Sequence, residues 1–293
     1  MSPQIELNPV QIEMIRKLAE ERRRTLGFVG DTPVANDIFT ILDKLGIYLL
    51  EYPIKSEGPR PAFSASLIYF NEDEKELAFL GLNTADFFDK QIFAIAHELY
   101  HYFTKTGSHL SRLFEEESTL VEAEANRFAA EFLLPESVLE SIIITEFKSK
   151  SLSSLEHRVL TRFIARLHCT WWLPYRSIVR RLKEIDAITE EQFDTLYEMD
   201  ERDISGEFAR TCIAINKEDF SRLNSPTNNV GTSPKDIEII IRNFEDNIID
   251  EDKFSSTLEL FGKSPEDFGY DLQLSDEDIE EFEAFFKEDD DES

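Results

Sequence analysis

The segment FAIAHELYH at positions 93–101 constrains this chain more than any other part of its sequence. Its apolar residues recur at helical spacing, which predicts a helix. His97 and His101 are four residues apart, so both imidazoles lie on one face of that helix and can reach one ion. Glu98 lies beside that face, where a carboxylate can take a proton from a metal-bound water. The segment therefore predicts a metal site with Glu98 as general base.

A catalytic zinc site has three protein ligands and an open position for water, so a third ligand must come from another element. The segment VEAEANRFAA at 121–130 supplies it, on a helix that we expect at about 115–133, stopped by Pro135. Glu122 and Asn126 share one face of this helix. Glu122 can bind the metal while Asn126 orients another ligand from outside the coordination sphere. Glu124 is the alternative third ligand, but it projects from a different face.

The elements around this pair of helices predict an α+β fold, a small β-sheet with packed helices that carry a zincin-like metal site. Asn8 and Pro9 are typical of a helix start, because asparagine caps helices well and proline suits the first helical position. The other expected elements are a helix over 34–45 ending at Gly46, strands over 47–52, 66–71 and 77–83, and the metal helix over 86–105.

The part of the chain after Pro135 predicts a mostly helical region followed by an acidic tail. Amphipathic stretches at 152–167 and 174–184, separated by a turn over 169–174, resemble a helix-turn-helix. Residues 224–234 are rich in small polar residues, glycine and proline, and predict a linker. We therefore expect a metallopeptidase-type domain over 1–136, a helical helix-turn-helix-like region over 137–223 and an acidic C-terminal appendage over 224–293.

The charge of the chain excludes one large class of functions. The sequence has 60 Asp and Glu against 31 Lys and Arg, a net charge of −29. A nucleic-acid binder needs a basic surface, so direct binding of nucleic acid is not expected, and neither is attraction to an anionic membrane. Much of the excess lies in the tail, where residues 275–287 predict an acidic amphipathic helix that docks through its Phe residues and 288–293 predict disorder.

The sequence also carries information about the compartment in which the protein is found. The N-terminus shows no signal peptide, and no stretch approaches the length of a membrane span. Cys169 and Cys212 are too few for a disulfide framework or a four-cysteine zinc site. We expect a cytoplasmic protein with two reduced thiols; its oligomeric state is not predicted.

Together, HELYH at 97–101 and EAEANRFAAEFLLP at 122–135 resemble the ImmA/IrrE family of metallopeptidases, over about residues 10–200. The resemblance implies a Zn²⁺ ion, or Mn²⁺ or Fe²⁺ in its place, held by His97, His101 and Glu122, with Glu98 as the base. It also implies a site-specific endopeptidase that cleaves a helix-turn-helix repressor of a mobile element or stress regulon. Tyr100 stands where many relatives have glycine, a departure that concerns substrate fit.

Two other functions remain open at this point. One is a non-proteolytic, metal-binding regulator that acts by binding a repressor. The other is the toxin-like half of a toxin–antitoxin pair, with an antitoxin-like partner that masks the site. The intact ligands and base favour catalysis over both. Within the catalytic reading, the strand ending at Asn83 is a candidate for pairing with substrate, and Tyr100, Tyr102 and His168 are candidates for stabilising an oxyanion.

Overall fold

The computed structural model of the protein describes residues 6–55, 63–72, 75–106 and 115–271. The chain forms two compact units, Met1–Val230 and Gly231–Ser293. The acidic helix predicted at 275–287 and the disorder predicted at 288–293 lie outside the described residues. The domain boundaries at 136/137 and 223/224 stay predictions of domain organisation. No helix among the described residues is long and apolar enough to cross a membrane.

The first unit is an α+β structure, which confirms the predicted fold class. Its three strands are β1 (Ile47–Tyr52), β2 (Ala65–Glu72) and β3 (Lys75–Asn83). They lie in the order β2, β3, β1, with β3 antiparallel to β2 and parallel to β1. Inward-facing leucines such as Leu49, Leu67 and Leu80 are buried, while Ile68 and Phe70 on β2 are exposed on the other face. This alternation is that of a sheet with one face on the core.

The helices of the first unit precede and follow that sheet along the chain. They are α1 (Pro9–Thr25), α2 (Ile38–Leu45), α3 (Phe88–Thr104), α4 (Glu115–Leu133), α5 (Glu136–Phe147), α6 (His157–Trp171), α7 (Tyr175–Glu184), α8 (Glu190–Tyr197) and α9 (Glu207–Leu223). Helices α3 and α4 pack against each other, and α3 also packs on β2 and β3. Buried side chains from all parts of this unit form one continuous core.

The helix ends that the sequence marks most clearly are confirmed. The side chain of Asn8 accepts hydrogen bonds from the backbone N–H groups of Val10 and Gln11, and the Gln11 side chain accepts from Asn8 N–H in return. This reciprocal capping satisfies N–H groups that a helix start leaves free. At the C-terminal end of α2, Gly46 has φ 68°. It ends the helix in the left-handed conformation that glycine adopts easily.

The predicted limits of the sixth helix were wrong. The sequence suggested a helix over 152–167 and a turn from Cys169, whereas α6 begins at His157 and runs through Trp171. Leu167, Cys169 and Trp171 are buried, so packing extends the helix past the residues that looked like a turn. The residue that caps its C-terminal end is Trp172, which has φ 53° and lies two residues before Pro174. The turn between α6 and α7 is therefore only three residues long.

The polar segment predicted as a linker is divided between the two units. Its first part, residues 224–230, lies against the start of α3 and is called here the strap. Asn228 N–H donates to the Thr84 carbonyl at 2.9 Å, and Phe88 N–H donates to the Ser225 carbonyl at 3.1 Å. The Thr227 hydroxyl donates to the buried Gln91 side chain at 3.1 Å. The strap is thus a bonded part of the first unit.

The second unit is small and mostly helical within its described residues. It contains β4 (Gly231–Thr232), α10 (Pro234–Glu245), α11 (Glu251–Glu259) and a 3₁₀ turn at Pro265–Phe268. Phe244 stacks on Phe254 at a centroid distance of 4.3 Å, and Tyr270 packs edge-on against both. Phe254 and Leu258 are fully buried. An aromatic cluster therefore forms the centre of this unit.

Candidate metal centre

The two helices that carry the predicted ligands pack directly on each other. Helix α3 presents His97, Glu98 and His101, and it ends at Lys105, which has φ 55°. Helix α4 presents Glu122 and Asn126. Ala125, Phe128 and Ala129 on α4 are fully buried. The small alanines let the helices approach closely, and this approach brings side chains separated by more than twenty residues into one cluster.

His97, His101 and Glu122 form a cluster that can hold a metal ion. One potential ligand atom from each residue lies within 4.8 Å of the others. The two Nε2 atoms are 3.3 Å apart. Glu122 places one carboxylate oxygen 3.1 Å from His97 Nε2 and the other 3.7 Å from His101 Nε2. The side chain of Glu122 is 53% exposed and that of His101 is 6% exposed. The cluster therefore has a buried side and a side open to solvent.

This donor set fits a catalytic metal. Two imidazoles and one carboxylate are a ligand combination found in catalytic zinc sites, where the fourth position is left for water or substrate. The three donors converge from two rigid helices, and the open side of the cluster provides access. The residues present can therefore hold the ion that the sequence predicts.

The two glutamates of α4 face different partners. Glu124, the alternative ligand, accepts a hydrogen bond from the Tyr100 hydroxyl at 2.8 Å and another from the Gln11 side chain at 3.1 Å. It is not a member of the His97–His101–Glu122 cluster. Asn126 places its Oδ1 3.2 Å from Nδ1 of His97, the ring nitrogen that points away from the cluster. The geometry thus favours Glu122 as the third ligand. It favours Asn126 as the residue that orients His97.

Glu98 lies at the edge of the sheet. Its Oε2 accepts a hydrogen bond from the backbone N–H of Leu67 on β2 at 3.0 Å. Burial raises the pKa of Glu98, an effect larger than the opposing charge of His97 and the Leu67 hydrogen bond. A carboxylate with a raised pKa takes up and releases protons nearer to neutral pH, as a general base and acid requires.

The charges of the cluster favour a cation. Burial lowers the pKa of His97, but the hydrogen bond to Glu122 and the charges of Glu98 and Glu122 outweigh it, so the pKa is raised overall. For His101 burial dominates, the neighbouring His97 adds to it, and the pKa is lowered. The hydrogen bond with His97 lowers the pKa of Glu122. The negative potential that attracts a proton to His97 equally attracts a metal ion.

The three candidates for oxyanion stabilisation are all bonded elsewhere. The Tyr100 hydroxyl donates to Glu124, and the Tyr102 hydroxyl donates to the Leu45 carbonyl at 3.0 Å. His168 is buried, with Nδ1 2.8 Å from the Leu173 carbonyl. Sequence reasoning also missed Leu67, because nothing in the sequence marks a backbone N–H that a sheet edge will present to Glu98.

A model of one known protein family matches part of the first unit. Residues 42–165 match the family model described as the IrrE N-terminal-like domain, peptidase family M78. This segment is similar to the IrrE N-terminal-like domain. The match covers β1, β2, β3, both helices of the metal cluster and most of α6, and it confirms the resemblance drawn from the sequence. The M78 family is a family of metallopeptidases. No curated protein and no solved structure matches the chain.

Proposed function

We propose that this protein is a zinc-dependent endopeptidase of narrow specificity, which hydrolyses a peptide bond in a regulatory protein. The observation that carries the proposal is the His97–His101–Glu122 cluster with the Glu98 carboxylate beside it. The IrrE N-terminal-like domain supports it. A purely structural cluster would need neither an open side nor an adjacent base with a raised pKa.

The chemistry follows from the positions of these side chains. A bound zinc ion supplies Lewis acidity for the scissile carbonyl and for the attacking water. His97, His101 and Glu122 would hold it. Glu98 accepts a proton from the attacking water and passes it to the leaving amine as the peptide bond breaks. Its raised pKa suits both transfers.

The substrate is proposed to bind along β2. The strand ending at Asn83, which the sequence offered for this role, is an interior strand, because β3 pairs with β1 on one side and β2 on the other. Among the described residues of the first unit, β2 has no strand on its second edge. Leu67 turns its N–H away from β3 and toward Glu98. An extended peptide added at this edge would pass beside the general base.

The proposed substrate is a helix-turn-helix transcriptional repressor, cleaved in the course of a regulatory or stress response. This step rests on the ImmA/IrrE resemblance of residues 97–101 and 122–135. The net charge of −29 agrees with it, since such a chain suits contact with the basic surface of a DNA-binding protein rather than with DNA.

The Glu98→Gln variant tests the proposal. Amide nitrogen and oxygen cannot accept the proton, so we expect cleavage to fall by about 10²–10⁴-fold. The three ligands are untouched, so bound metal should stay at the wild-type level. The probe is a purified helix-turn-helix repressor, chosen from the products of the neighbouring genes, incubated with each variant and separated by mass. Glu13→Gln on the exposed surface of α1 is the matched control.

Full cleavage by Glu98→Gln would contradict the mechanism. Full biological activity of that variant without any cleavage by the wild type would favour the alternative, a regulator that acts by binding its partner. Masking of the site by an antitoxin-like partner would appear as inhibition of the wild type by that partner without its own cleavage.

A further inference from the structure

The outward ring nitrogen of each histidine in the metal cluster has a partner. Both Nε2 atoms face the centre of the cluster, so both Nδ1 atoms face away from it. The partner of His97 Nδ1 is Asn126 Oδ1, which the sequence predicts. His101 Nδ1 lies 3.5 Å from the hydroxyl oxygen of Thr106, five residues further along the chain. No motif pointed to Thr106.

Thr106 belongs to a chain of hydroxyl groups whose direction can be worked out. The Thr104 hydroxyl donates its single hydrogen to the Tyr100 carbonyl at 2.7 Å. The oxygens of Thr104 and Thr106 are 2.6 Å apart, so one of them donates to the other. Because the hydrogen of Thr104 is already used, Thr106 is the donor. Its own oxygen is then left as an acceptor facing His101.

An acceptor at this position fixes the state of the histidine. A neutral imidazole carries one N–H, and the other nitrogen keeps a lone pair. With Thr106 as acceptor, the hydrogen of His101 lies on Nδ1 and the lone pair on Nε2. The nitrogen that faces Glu122 and His97 is therefore the one free to bind a metal.

The turn that places Thr106 is itself held in place. Lys105, at the left-handed end of α3, reverses the chain so that Thr106 returns toward His101. Its ammonium group pairs with Glu76 and lies over the Tyr69 ring, 4.2 Å from the centroid. Both partners come from the β2–β3 hairpin, so the sheet holds the end of the metal helix.

We infer that Thr106, supported by Thr104, is a positioning residue of the metal centre, which orients His101 and sets the tautomer that binds the ion. The inference rests on the metal centre of the proposed function but does not depend on the identity of the substrate. Asn126 has the same task for His97 through an amide oxygen, which can only accept.

The test is the affinity of the purified full-length chain for Zn²⁺, measured by competition with a chromophoric chelator. Thr106→Val keeps the shape of the side chain and removes the hydroxyl acceptor, while the backbone of Thr106, which also bonds to His101, remains. We therefore expect a loss of affinity of about 10-fold, the lower end of the range for outer partners of metal ligands. Thr106→Ser restores the hydroxyl and should recover most of it. Thr104→Val leaves Thr106 free to turn its hydrogen toward His101, and we expect a smaller loss.

Two controls separate positioning from a general structural effect. Thr25→Val removes another hydroxyl that bonds to a helix carbonyl, far along the chain on α1, and should leave affinity unchanged. In the Co²⁺-loaded chain, the visible absorption bands of Thr106→Val should shift from those of the wild type, and those of Thr25→Val should not. The thermal unfolding of each metal-free variant reports whether the fold is intact.

Wild-type affinity and unshifted Co²⁺ bands in Thr106→Val would overturn the inference, and so would a Thr106→Ser variant no better than Thr106→Val. A wild-type chain that binds no Zn²⁺ would overturn the metal centre and the inference together. A wild-type chain whose affinity for Zn²⁺ depends on Thr106 but that cleaves no regulator would leave the inference standing and contradict only the proposed function.

Discussion

At the scale of single residues, His168 is a buried titratable group outside the metal centre. Its Nδ1 lies 2.8 Å from the Leu173 carbonyl and its Nε2 lies 3.3 Å from the Asn224 amide nitrogen. These contacts match a neutral ring that donates through Nδ1 and accepts at Nε2. Burial lowers the pKa of His168, an effect larger than the attraction of Asp89. Protonation would place an imidazolium against an amide donor.

Because the pKa of His168 is lowered, we predict that the folded protein loses stability in acid. The unfolded chain binds a proton at His168 below its ordinary pKa of about 6.5, whereas the folded chain binds it only at lower pH. Stability from this site is therefore complete above about pH 6.5 and declines as the pH falls below that value. His168→Gln keeps a donor and an acceptor but does not titrate. We expect the melting-temperature difference between wild type and this variant to shrink from pH 7.5 to pH 5.5; an unchanged difference would contradict the argument.

The candidate ligands were predictable because they depend on spacing within single helices. Four residues between His97 and His101, and four between Glu122 and Asn126, fix which side chains share a face. Leu67 and Thr106 were not predictable, because their roles depend on where a sheet edge lies and how the chain turns after Thr104. Those are properties of packing between elements.

At the scale of elements, the beginning of α3 is held by a buried ion pair. Arg202 donates through Nη2 to both carboxylate oxygens of Asp89 at 2.9 Å, and Asp89 is fully buried. Arg202 also lies over the Phe87 ring, 4.2 Å from its centroid. This pair ties the helix that carries His97 and His101 to the loop before α9.

Arg202→Met should destabilise the first unit by about 3–5 kcal/mol, because it leaves the Asp89 carboxylate buried without a counter-ion. Arg158→Met is the matched control: Arg158 is 85% exposed and lies 3.6 Å from Glu207, so we expect a change of no more than about 1 kcal/mol. Urea unfolding followed by tryptophan fluorescence measures both, since both tryptophans lie in α6 and at its C-terminal end. Equal effects of the two substitutions would contradict the role of burial.

Helix and strand limits were predictable where capping or turn residues mark them, and less so where packing sets them. Asn8, Pro9 and Gly46 mark their helix ends by their own conformational preferences. The end of α6 is set by burial of Leu167, Cys169 and Trp171, so the sequence placed the turn three residues too early. The start of α9 and its irregular residue Asn216, with φ −156°, had no sequence signal.

At the scale of the whole molecule, the strap decides where the first unit ends. The domain boundary at 223/224 stays a prediction, and the compact unit extends to Val230. The composition of residues 224–234 predicts a linker. It cannot show that Thr227 bonds to Gln91 on α3, or that Asn228 and Asn229 bond to Thr84 just before that helix.

Truncation distinguishes these two boundaries. A chain of residues 1–230 keeps the strap, whereas a chain of residues 1–223 loses the partners of Thr84, Phe88 and the buried Gln91. Each unsatisfied buried group costs about 1–3 kcal/mol. We expect the shorter chain to melt several degrees below the longer one by tryptophan fluorescence. Equal melting temperatures would show that the strap contributes nothing to the first unit.

We propose that His97, His101 and Glu122, and not Glu124, form the metal centre of this protein. The most direct measurement is the metal content of the purified chain and of the variants Glu122→Gln and Glu124→Gln, after dialysis against a weak chelator. We predict about one equivalent of zinc for the wild type and for Glu124→Gln, and a loss of most of it for Glu122→Gln. Retention of zinc by Glu122→Gln, together with its loss from Glu124→Gln, would contradict the account.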